Sequence, residues 1–177
     1  MQWLNETALT VTLFLFSLAV IYGALSDIRT YTIPNRVSYG LALLFFAYAA
    51  AKWPDLPVLL HLGIGLFVFV MCLIFWQMRW MGGGDVKFVA AISLWMGPQR
   101  ILIFMVFLAL LSLLFVTLLR GARTWNPYFQ ASGWPGWIKQ MVQKAEENAV
   151  PYGLPAAIAA LATMFLVDEL IRGLLRL

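Results

Sequence analysis

Residues 81–88 read MGGGDVKF, three glycines running into an aspartate and a lysine. A second carboxylate, Asp27, closes an apolar run much earlier in the chain. Two carboxylates brought together cannot both ionise cheaply, so they share one proton. One then acts as base towards water while the other acts as acid towards a carbonyl, the logic of aspartic proteolysis. Such chemistry needs no metal and no nucleophilic side chain. Gly82, Gly83 and Gly84 lack Cβ atoms, so their backbone can adopt positive φ and lie close to another chain. An extended peptide entering a site needs a surface of that kind. The same glycines would also serve tight helix packing, and a boundary aspartate can simply cap a helix or pair with a nearby arginine. Packing alone does not explain why a carboxylate and a cation follow the glycines at once.

The elements that must carry these residues are apolar. Of the 177 residues, 63% are hydrophobic and 11% charged, and the mean hydropathy is +0.85. A soluble domain is about half apolar and about a quarter charged. Runs free of Asp, Glu, Lys and Arg cover 7–26, 37–51, 56–78, 88–99, 101–119 and 148–167. A spanning helix needs roughly 20 mostly apolar residues. The chain therefore reads as an all-α polytopic membrane protein of six spans in one domain, residues 1–177. The runs 37–51 and 88–99 need flanking residues to reach that length. The first run lacks a basic n-region and an A-x-A-like cleavage site, so it is expected to stay in the protein. Gly97-Pro98 is the expected break between spans four and five, because proline disfavours helical geometry at the residue before it. Two crossings separate Asp27 from Asp85, so both are expected at one membrane face.

Eight of the twelve basic residues fall in the loops after spans one, three and five. The positive-inside rule puts those loops, and with them both aspartates, in the cytoplasm, and both termini outside. In the long connection 120–150, Trp134, Trp137, Ile138, Met141, Val142 and Ala145 recur at helical spacing, with polar residues between. This predicts an amphipathic helix on the inner leaflet. The net charge of +4 forms no basic stripe, so no nucleic-acid partner is expected. The lone cysteine, Cys72, excludes an intrachain disulfide and any Cys-rich zinc module, and no cofactor is expected.

Around the carboxylates, Pro34 is placed at the first turn of the second helix, where its missing N–H is harmless. Asn35 is a candidate to bond the loop backbone or hold Asp27. Lys87 would contact substrate or lipid phosphate, or snorkel. His61, near the other membrane face, reads as structural. Asp27 at a helix C-terminus and Asp85 at a helix N-terminus suggest that the shared proton favours Asp27 and that Asp85 is the base, an effect of only about 0.3–1 kcal/mol.

Gly82-Gly83-Gly84-Asp85 fits the G-x-G-D motif of intramembrane aspartic proteases. Its continuation, GGGDVKFVAAISLWMG, resembles the version found in prepilin peptidases (type IV leader peptidases). SDIRTYTIPN, residues 26–35, is similar to that family's other catalytic segment, and VPYGLPAAIAA, residues 150–160, to its final-helix signature. The resemblance implies a six-helix peptidase with Asp27 and Asp85 as its catalytic pair. It implies prepilin or pseudopilin substrates, cut on the cytoplasmic side of their hydrophobic segment, and pilus or secretion assembly components as neighbours in the bacterial inner membrane. The larger members carry an N-terminal cytosolic region, often with paired CxxC motifs, associated with N-methylation of the product. That activity is not expected of this chain, whose compact form looks like the Flp/Tad type. A proton-relaying transporter, a non-catalytic assembly partner and another GxGD protease are the competing readings. The first would want ionisable groups at the bilayer midplane, and spans two, three and five hold no carboxylate.

Overall fold

The computed structural model describes residues 2–123, 133–136, 138–139, 143 and 151–166, and among them every regular element is a helix. In chain order these are α1 (Gln2–Thr30), α2 (Asn35–Ala51), α3 (Val58–Gln77), α4 (Gly83–Arg123) and α5 (Gly153–Leu161), the last running into a π-helical turn, Ala162–Leu166. Three stretches are long and apolar enough to cross a bilayer: Asn5–Thr30, Val58–Gln77 and Gly83–Gly121. Large apolar side chains such as Leu59, Phe67, Leu102 and Leu113 stand exposed along them, as lipid-facing surfaces do. α2 has 17 residues and so spans about 25 Å, short of a hydrocarbon core of about 30 Å.

α4 is not one rod. Gly97 takes φ 57° and ψ −170°, and Pro98 follows it, so the helix breaks into arms 83–96 and 98–123. This is where the sequence placed the boundary between its fourth and fifth spans. Pro98 has no N–H, so the carbonyl of Leu94, four residues back, loses its helical donor. Nδ1 of His61, from α3, stands 2.6 Å from that oxygen and replaces the missing donor when it carries the proton. A Cβ on Gly97 would fall on the His61 imidazole. The glycine thus serves two ends, the positive φ of the break and the space that lets the imidazole in.

The packing centre joins α1, α2 and α4. Trp95 is fully buried, with its ring 4.6 Å from Phe16 and 5.1 Å from Tyr48. Its indole N–H donates to the Leu41 carbonyl at 3.1 Å, so this large side chain enters the core with its polar atom satisfied. His61 joins the same cluster by stacking on Phe45 at 5.5 Å. Gly23 lets α4 close on α1, since a Cβ there would lie 2.7 Å from the Phe88 ring. Gly65 does the same for α3 against Leu94.

Of the expected amphipathic helix, Pro135 accepts from the N–H groups of Ile138 and Lys139, a single helical turn. Trp137, Met141, Val142 and Ala145 lie outside the described residues, as does the end of the last expected span.

Candidate active site

α1 and α3 end, and α2, α4 and α5 begin, at one end of the bundle. There a cavity of about 600 Å³ is lined by Asp27 and Asp85 together. The corner between α1 and α2 forms one wall, from Tyr31 to Asn35; the glycine segment and the start of α4 form another; Phe69, Leu73 and Trp76 of α3 form the third. The α3 wall is apolar and aromatic, while the two carboxyls, Asn35 and Lys87 come from α1, α2 and α4.

Asp27 lies in the last turn of α1 and is 3% exposed. The Tyr31 N–H closes that turn on the Asp27 carbonyl at 2.8 Å, and Tyr31 itself sits at φ 54°, the left-handed geometry that ends helices. Oδ2 of Asp27 accepts a 2.7 Å hydrogen bond from the N–H of Gly153, the first residue of α5. A Cβ on Gly153 would stand 2.8 Å from that oxygen, so glycine is what lets the backbone come so near.

Asp85 is the third residue of α4 and is 9% exposed. Its Oδ2 accepts from the Gly82 N–H at 3.2 Å, while the Gly82 carbonyl receives the first helical bond from Val86. This is the return half of a capping box, in which the third helical side chain reaches back to the capping N–H. Capping thus explains part of why an acid stands here. It does not explain why that acid opens on the same cavity as Asp27. Each carboxylate has one oxygen tethered to a backbone N–H at a helix start. The helix-end contrast expected between the two aspartates is therefore incomplete, since Asp27 also meets the N-terminus of α5.

The remaining expected site residues gather here as well. Gly82, Gly83 and Gly84 all line the cavity. Gly84 packs on the α1–α2 corner, where an added Cβ would lie 3.2 Å from the Ile33 carbonyl oxygen. A Cβ on Gly83 would meet the Trp76 indole nitrogen at 3.5 Å. Pro34 caps α2, one position before the first turn where the sequence placed it. Among the described residues Asn35 bonds neither the loop backbone nor Asp27: its Oδ1 receives Lys87 Nζ at 2.9 Å. Lys87 also lies 5.9 Å from the centre of the Tyr39 ring. It lines the cavity with Asp85 although the two are only two residues apart.

Sequence reasoning did not single out Gly153, Ile33 or the apolar wall Phe69, Leu73 and Trp76. Gly153 had a signal, since Pro155 two residues on is tolerated in a helix only in its first turn and so marks a helix start close by. The wall had none, because an apolar side chain on an apolar span looks the same whether it faces lipid or a cavity. Among the described residues no cluster of three His, Cys, Asp or Glu is placed to hold a metal.

A membrane-embedded helical bundle with two buried carboxyls opening on one cavity defines a class of candidate hydrolases. The profile of the type IV leader peptidase family, Peptidase_A24, matches residues 14–118. The match runs through both aspartates, and the chain belongs to that family. Its general role is accordingly that of a leader peptidase, a peptide-bond hydrolase of the membrane whose family acts on prepilin-type substrates. Among curated proteins and solved structures, none matches the chain.

Proposed function

We propose that this chain is an aspartic endopeptidase that removes the leader of type IV prepilin-like or pseudopilin precursors, with Asp27 and Asp85 as its catalytic pair. One observation carries the reading: two carboxyls from distant segments, both buried, line one cavity together with an apolar wall from α3. Family membership supports the substrate class.

In this mechanism the pair holds one proton and one water. The ionised carboxyl takes a proton from the water as its oxygen attacks the scissile carbonyl carbon. The protonated carboxyl gives its proton to the carbonyl oxygen, leaving a neutral gem-diol. The carboxyl that took the water's proton then gives it to the amide nitrogen, while the other takes one from a gem-diol hydroxyl. The C–N bond breaks to a carboxyl and an amine, and the pair again holds one proton. The free oxygen of each aspartate is the one that works; the tethered oxygens hold the two groups in place. Lys87 and Asn35, with Pro34 and the three glycines, support the site. The apolar α3 wall suits the hydrophobic segment of the substrate.

The basic-residue bias supports a cytoplasmic-face site in a bacterial inner membrane, with six crossings and both ends of this chain on the other side. The break at Gly97 supports counting the two arms of α4 as separate crossings. All residues named here belong, in this reading, to one peptidase domain, and the compact form suits an Flp/Tad-type system.

The test is co-expression with a candidate prepilin, read by gel shift and N-terminal sequencing. Wild type, Asp27→Asn and Asp85→Asn are compared at matched membrane levels. Cleavage by wild type alone is expected. Equal cleavage by either variant would remove that aspartate from the mechanism.

A further inference from the structure

We infer that the substrate docks as an extended strand against the α1–α2 corner, exchanging a pair of main-chain hydrogen bonds with Ile33. The inference rests on the proposed peptidase function.

Four residues, Tyr31 to Pro34, link α1 to α2. Several of their main-chain groups are already used. The Tyr31 N–H donates to Asp27. The Thr32 carbonyl accepts from the hydroxyls of Ser26 and Thr30. Pro34 has no N–H, and its carbonyl accepts from Val37. Only Ile33 leaves both its N–H and its C=O without a hydrogen-bond partner among the described residues. Ile33 is 5% exposed, so water does little for them, and unpaired buried backbone groups are costly.

Pro34 restricts Ile33 to extended geometry, which turns the N–H and C=O of one residue towards the same side. A residue in that state pairs with one residue of an antiparallel strand through two bonds. Ile33 lines the cavity that holds both carboxyls, so a strand paired there runs past the catalytic pair. Gly84 lies against this edge: a methyl on it would stand 3.2 Å from the Ile33 oxygen and 3.4 Å from its nitrogen. Pairing at this residue fixes which substrate residue lies beside the carboxyls, and so sets the register of the cut. Recognition by strand addition draws affinity from main-chain bonds and leaves side-chain choice to the walls.

The test uses a synthetic peptide spanning the leader junction of a prepilin, with each backbone nitrogen methylated in turn. Wild-type enzyme should show one sensitive position besides the scissile amide, with KM raised about tenfold or more by loss of a buried hydrogen bond. Ile33→Pro, which deletes the N–H, should raise KM with little change in kcat. The penalty of the sensitive methyl should shrink on that variant, because the two changes disrupt one pairing. Ile33→Leu keeps both main-chain groups and should leave the methyl-sensitive position where it is in wild type, whatever its rate. Tolerance of every non-scissile methyl by wild type would overturn the inference even if Ile33→Pro fails to fold, and so would a wild-type KM in Ile33→Pro. Failure to cleave the unmethylated peptide would overturn the proposed function and this inference with it.

Discussion

Lys87 Nζ and Asn35 Oδ1 lie 2.9 Å apart across 52 residues of sequence. The bond joins the segment that follows Asp27 to the segment that starts with Asp85, so it braces the two halves of the proposed pair. Asn35→Leu and Lys87→Met are each expected to lower cleavage several-fold, with the double variant no worse than either single one. Such non-additivity is the mark of a shared interaction. Additive losses in the double-mutant cycle would mean that Lys87 acts on substrate independently of Asn35.

Gly153→Ala would place a methyl 2.8 Å from Asp27 Oδ2 and 2.9 Å from its Cβ. Either α5 or the Asp27 side chain must move. Loss of at least about tenfold in activity is expected, since small misplacements of reacting groups are costly in rate. Gly40→Ala and Gly63→Ala are the contrast, because nothing lies within 4 Å of their added methyls. Each should keep activity and stabilise its helix by about 0.5–1 kcal/mol, read as a higher unfolding midpoint in detergent.

The sequence made some of this site legible, for reasons visible in particular residues. Asp85 sits behind a local pattern of glycines, and Asp27 ends a long apolar run, so each declares itself within ten residues. Gly97-Pro98 likewise announced the break in α4. The Gly153–Asp27 bond joins positions 126 apart and leaves no local periodicity to find. Lys87 was open to substrate, lipid or solvent because sequence spacing within one helix says nothing about a partner on another. The short 17-residue α2 was foreshadowed by a run too short to span unaided.

His61→Phe tests the break in α4. Phenylalanine keeps the stack on Phe45 and removes the nitrogen 2.6 Å from the Leu94 carbonyl. A buried carbonyl then stands without a donor, at a cost of about 1–3 kcal/mol. The expected readout is a melting temperature lower by several degrees in detergent. An unchanged midpoint would show that the carbonyl finds another donor.

Chelation bears on the mechanism directly. Two carboxyls sharing a proton activate water without a Lewis acid. Excess EDTA is therefore expected to leave the cleavage rate of purified enzyme unchanged. Loss of activity that zinc or magnesium restores would argue for a metal at the carboxyls and against the proton-sharing pair.

The bond from Gly153 to Asp27 also imposes a timetable. A ribosome delivers Asp27 fully 126 residues before Gly153, with α2, α3 and both arms of α4 emerging between them. Until α5 docks, the first carboxyl lacks its backbone tether and the cavity lacks the helix that holds Asp27 beside it. In the proposed mechanism a half-made chain thus carries both acids without yet being equipped to cut. On that mechanism, hydrolytic competence waits for α5, the last α-helix among the described residues.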